Sequence, residues 1–172
     1  MSQEEFYSIM PILLLSLGIG DILLHWKDYF QKERRYWPHI ITGLMIVEVG
    51  IRNYFLLFNE LYFIAHMTYN QFLARLLPPM LFLLAAAAFT PDESEDTKAY
   101  FQRRLRVVFS LLALFIASHW LVQFRIDYTF FVRAVAVTGC MLMVILRKPA
   151  FIYVLLALRV VIGITDYWQG GL

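Results

Sequence analysis

Apolar residues along this chain come in long blocks rather than in alternation with polar ones. Six blocks can be drawn, at 6–26, 38–58, 71–90, 107–124, 127–146 and 149–168. At about 1.5 Å per residue, each is long enough as a helix to cross roughly 30 Å of hydrocarbon. The blocks lack two-residue alternation and are about twice the length of a barrel strand, which argues against β structure. Pro38 and Pro149 open the second and sixth blocks, where a proline suits the first helical turn. The short aromatic stretch Glu60–Tyr69 (ELYFIAHMTY) reads as an interfacial turn before the third block. The pattern predicts one all-α domain over residues 1–172, a polytopic membrane bundle of six transmembrane helices without a soluble module.

Charge then sets the direction. Lys27, Lys32, Arg34 and Arg35 follow the first block, and Lys98, Arg103, Arg104 and Arg106 follow the third. Arg147 and Lys148 join the last two blocks, making ten bases on one side, while Arg125 is the only base in a connection on the other. The positive-inside rule makes the ten-base side cytoplasmic and both termini extracytoplasmic. Dropping one span would scramble this asymmetry. Composition agrees, since 60% of residues are hydrophobic and 16% charged, against about 45–50% and 25% in soluble domains. The first block has an acidic rather than basic leader (MSQEE) and no small-residue cleavage site after it, so it reads as a retained helix and not a signal peptide. Cys140 is the single cysteine, which rules out an intrachain disulfide and leaves the redox compartment open. A net charge of +2 with no basic domain gives no reason to expect nucleic acid as a partner.

Four bases remain, Arg52, Arg75, Arg133 and Arg159, and all fall inside blocks. Counting residues from the block ends puts them in the outer half, roughly 6–14 Å below the surface. Glu48 lies one turn deeper than Arg52, and a central charge costs on the order of 2.5–3.5 kcal/mol to insert. The Glu48–Arg52 order at i,i+4 favours a pair within one helix, and Arg133 and Arg159 are also placed to snorkel to the interface. The layer as a whole is net positive even with Asp127 and Asp166 counted at its rim. Such a layer suits phosphate or carboxylate, which the planar guanidinium grips with two hydrogen bonds. His66 and His119 lie near the same rim. On the inner side, Asp21 and His25 form an i,i+4 pair that reads either as a structural cap or as a proton relay.

Other features carry less. Two prolines in LLPPM (Leu76–Met80) kink or break the third span beside Arg75, as a packing kink or a cavity-lining discontinuous helix. The acidic run PDESEDT (Pro91–Thr97) lacks the spacing and glycine of a calcium loop and reads as solvated charge. His66 and His119 share a side, so paired haem ligation is geometrically allowed, but neither is deep in a span and no cofactor or metal is expected. Lys27, Lys32, Lys98 and Lys148 all fall in inner loops, so no lysine is placed for a retinal-type Schiff base. No nucleophile–base pattern, phosphate loop or metalloprotease helix occurs, so catalysis is not expected.

YFQKERR (Tyr29–Arg35) and YFQRRLR (Tyr100–Arg106) open two inner loops alike, either by internal duplication or because membrane-surface loops converge on aromatic and basic residues. LGIGDILLH (Leu17–His25) and the PDE at Pro91–Glu93, with AYF at Ala99–Phe101, resemble an uncharacterised family of small bacterial polytopic membrane proteins. The likeness covers roughly the first 125 residues. It implies a multi-pass protein of a bacterial plasma membrane and carries no activity. The favoured expectation is binding, with or without transport, of an anionic amphiphile or small anion by Arg52, Arg75, Arg133, Arg159 and Glu48. The alternative is a non-catalytic accessory subunit whose intramembrane charges pair with a partner membrane protein or with a second copy.

Overall fold

The computed structural model describes residues 3–30, 35–60, 68–91 and 96–168, with the side chains of 3–8, 28, 58–60 and 165–168 outside the description. These residues form six long helices and one short one: α1 (Gln3–Leu24), α2 (Trp26–Tyr29), α3 (Trp37–Glu60), α4 (Tyr69–Phe89), α5 (Thr97–Val122), α6 (Tyr128–Leu146) and α7 (Phe151–Trp168). Four of them, α3 to α6, are long and apolar enough to cross a membrane, and the apolar stretches Ile9–Leu24 and Phe151–Ile164 are shorter. The all-α bundle expected from the apolar blocks is therefore present among the described residues, with the composition of a membrane protein.

Local chemistry explains the helix limits. Thr68 caps α4 with a reciprocal pair of bonds, its Oγ1 accepting from the Gln71 N–H and its own N–H donating to Gln71 Oε1 at 2.9 Å. Asp127 caps α6 by accepting from the Phe130 N–H at 3.1 Å. Arg147 ends α6 in the left-handed region, φ 53°, with its N–H on the Met143 carbonyl.

One expectation needs correction. The hydropathy pattern expects Lys98, Arg103, Arg104 and Arg106 in a loop ahead of the fourth apolar block, whereas α5 begins at Thr97 and carries all four bases on its first turns. Asp96 caps that start by accepting from the Lys98 N–H at 3.2 Å. Thr97, Tyr100, Phe101 and Leu105 recur at helical spacing and are buried, so this extension is held by packing that a hydropathy window dilutes with arginines. The Tyr100 hydroxyl, within reach of both the Ala88 and Thr90 carbonyls at 3.0 and 2.9 Å, ties it to the end of α4. Pro78 and Pro79, which the sequence leaves as either a packing kink or a break, sit buried within an unbroken α4. Neither has an N–H, so the carbonyls of Ala74 and Arg75 cannot receive the usual bond one turn on.

The long helices pack as a closed ring, α1–α4–α5–α6–α7–α3 and back to α1, with α3 also touching α4 and α5. Packing is extensive along α1, α4, α5 and α6 and thin where α7 meets α3 and α6. Phe82 of α4 is the central wedge, fully buried against Phe115 at 5.7 Å between ring centroids. It fits because α1 and α3 present glycines to it. A Cβ at Gly18 would lie 2.9 Å from the Phe82 ring, and one at Gly50 would lie 2.5 Å from it. Both are closer than real Cβ contacts allow, so the three-helix junction depends on those missing side chains.

Candidate functional site

The ends of α1 and α4 meet the starts of α3 and α5 at one end of the bundle. There the Thr90 hydroxyl donates to the Asp21 carboxylate at 2.7 Å, and His25 Nδ1 donates to the Asp21 backbone carbonyl at 2.8 Å. The His25 ring is 3.9 Å from the carboxylate itself. The i,i+4 neighbours are thus brought together, with Thr90 of α4 making the shorter bond to the acid. The same end holds His39, which the sequence reading did not single out. It is fully buried, stacked on Phe89 at 4.1 Å and edge-on to Tyr29 and Phe101, and neither ring nitrogen has a hydrogen-bond partner among the described residues. Nearby, burial and the neighbouring Tyr153 push the Tyr36 hydroxyl above its ordinary pKa, against a lowering bond from Gln102.

The charges inside the apolar helices lie toward the opposite end. Glu48 projects from the middle of α3 and takes two hydrogen bonds from Arg159 of α7. Nε donates to Oε2 at 2.9 Å, and Nη2 donates to Oε1. This side-on fork joins the two helices where the ring is thinly packed. The side chains are 47% exposed for Glu48 and 23% for Arg159, so the pair is neither a core bridge nor a freely solvated one. Sequence spacing had pointed to Arg52, one turn away on the same helix. The fold adds a cross-helix partner 111 residues along the chain, which no local rule could indicate.

Arg52 is half-buried one turn after Glu48. Beside it, Asn53 is buried and its Nδ2 donates to His119 Nε2 of α5 at 2.7 Å. His119 Nδ1 donates to the Phe115 carbonyl at 2.9 Å, which fixes the tautomer with the proton on Nδ1. Asn53 was not picked out from the sequence. Its signal was available, because an amide next to Arg52 inside an apolar block needs a partner as much as the charges do.

Arg133 is half-buried on α6, and its Nη1 reaches the Gln123 carbonyl at the end of α5 at 3.4 Å. Arg75 is half-buried on α4. Asp127 is an exposed cap, its carboxyl held below the ordinary carboxylate range by the Thr129 hydroxyl and the Phe130 N–H. His66 lies outside the described residues, as does the Asp166 side chain. The structure therefore gathers Glu48, Arg159 and, one turn along α3, Arg52 into one neighbourhood, with Asn53–His119 beside it. Arg133 is tied to the α5–α6 turn instead. Among the described residues, no group of three or more histidines, cysteines or carboxylates is placed to hold a metal.

Arg159 has chemistry to spare. A guanidinium carries five N–H donors in a fixed plane, and Glu48 takes two of them. The remaining three, along the Nη1–Nη2 edge, have no partner among the described residues. Such an edge matches two oxygens of a phosphate or carboxylate. Compared with known proteins, the chain matches no family profile, no curated protein and no solved structure, so the functional argument rests on these residues.

Proposed function

We propose that this chain is a multi-pass protein of a bacterial plasma membrane that binds an anionic ligand at the α3–α7 polar centre. The transmembrane helices number six in this reading, α1 and α7 included. Both termini are extracytoplasmic, and the centre lies in the outer half of the membrane. One observation carries the proposal. Arg159 of α7 is half-buried, is held by Glu48 through Nε and Nη2, and has no partner for its remaining donors among the described residues. Glu48 acts as the orienting carboxylate, and Arg159 supplies the fork. Arg52, one turn from Glu48, leaves the three-residue set with a net charge of +1, which favours an anion over a cation.

The test is anion-dependent stabilisation of the purified protein in a neutral detergent. A phosphate amphiphile raises the unfolding temperature of the wild type. Arg159→Lys keeps the charge and loses the fork, so the shift disappears while the unliganded protein stays folded. Equal shifts in wild type and variant contradict the proposal.

A second reading is favoured by the exposure of Glu48. A carboxylate half open at membrane depth meets hydrocarbon that cannot hydrogen-bond to it, and a partner helix would cover it. In that case Glu48→Gln or Arg159→Lys abolishes co-purification with a partner chain and leaves anion response unaffected.

A further inference from the structure

Gly163 lies one turn after Arg159 on α7. A Cβ built there would meet, among the described residues, only Nη1 of Arg159, at 3.9 Å. Among the described residues, open space therefore adjoins the donor edge that Glu48 leaves unused. The side chains around it on the same helix, Val160, Val161 and Ile164, are exposed, as is Ile51 across the seam on α3. The notch thus combines three properties: a fixed guanidinium edge, room for a small group above a glycine, and an apolar rim that faces out of the bundle. A free anion reaching it from water would have to pass that rim. An anion carried on a hydrocarbon chain would place its tail against those side chains and its head group on the guanidinium.

We infer that the Gly163 notch is a lateral site for the phosphate or carboxylate head of a membrane amphiphile, entered from the lipid side along the α3–α7 seam. The inference rests on the anion-binding reading and specifies the ligand class and route of that same centre. Glu48 and Arg159 are the positioning and binding groups, and Gly163 is the residue whose lack of a side chain makes the site. It also gives a variant that leaves the charges untouched. Replacing a helical glycine removes a residue of low helix propensity, so Gly163→Leu keeps α7 at least as helical while filling the notch.

The experiment measures bound ligand by native mass spectrometry on the protein in dodecyl maltoside. It is titrated in parallel with dodecyl phosphate, counted as micellar mole fraction, and with inorganic phosphate in the buffer. The expected result is one retained dodecyl phosphate per chain in the wild type. Gly163→Leu and Arg159→Lys should each lower its occupancy at least about tenfold, the scale of one lost charge-assisted hydrogen bond. Inorganic phosphate should not compete. If inorganic phosphate displaces the amphiphile at comparable concentration, or if Gly163→Leu binds as the wild type does, the lateral site is overturned while the anion centre stands. If neither ligand is retained by the wild type, both fail. Size-exclusion profiles matching the wild type establish that each variant is folded.

Discussion

Removing the Glu48 carboxylate tests whether the α3–α7 seam is held by the ion pair. Glu48→Gln leaves one carbonyl oxygen to accept from Arg159 and sets an amide N–H₂ against the other donor. Exposed pairs contribute about 0–1 kcal/mol, whereas breaking a buried pair costs about 3–5 kcal/mol. With Glu48 about half exposed and Arg159 about a quarter, the loss falls between these limits, at roughly 2 kcal/mol, or about 30-fold in the folding equilibrium. The assay is reversible unfolding in mixed micelles of increasing dodecyl sulfate, followed by fluorescence of the chain's four tryptophans. A double-mutant cycle with Arg159→Gln isolates the pair, and the expected coupling is about 1–2 kcal/mol. A parallel cycle pairs Glu48→Gln with Arg52→Gln. Coupling to Arg159 within about 0.5 kcal/mol of zero means the two changes are additive and refutes the bridge. Larger coupling to Arg52 than to Arg159 would make the pair one within α3, as sequence spacing suggests, rather than a clamp on α7.

Gly50→Ala should destabilise by about 1–3 kcal/mol through overpacking against Phe82, and Phe82→Leu in the same chain should recover part of that loss in the unfolding assay. Thr90→Val removes the hydroxyl that donates to Asp21, and a loss of about 1–2 kcal/mol is expected; no change would show that water replaces it. The depressed pKa of Asp127 makes its cap effective above the ordinary carboxylate value of about 4 and lost as pH falls below it. Asp127→Asn keeps a capping oxygen and should flatten that part of the stability profile, and an unchanged profile would contradict the assignment. A reporter fused after Leu172 should behave as extracytoplasmic and one inserted near Ser94 as cytoplasmic, and the same side for both would contradict the topology.

The parts of this structure legible from sequence are those governed by local rules. Each long helix among the described residues overlaps one apolar block, and the fifth block opens at Asp127, the residue that caps α6. Hydropathy misplaced the start of α5, since Tyr100, Phe101 and Leu105 are buried on a helix face that alternates with arginines. The polar centre was half visible. Charges inside apolar blocks flagged Glu48 and Arg159 separately, but their joining depends on how α7 closes the ring, which is tertiary information. Asn53 and His39 went unnoticed for a related reason. Each is a lone polar residue whose meaning comes from what the other helices bring to it: His119 in one case, and Tyr29, Phe89 and Phe101 in the other.

The most direct test of the central claim is an electron cryomicroscopy map of the protein in nanodiscs of phosphatidylcholine doped with phosphatidate. The account requires density for an anionic head group within hydrogen-bond distance of Nη1 of Arg159, above Gly163, with Glu48 still on the Nε side of the same guanidinium. A map in which that edge is covered by protein, or in which Arg159 leaves Glu48 and reaches separately to the membrane surface, would contradict it.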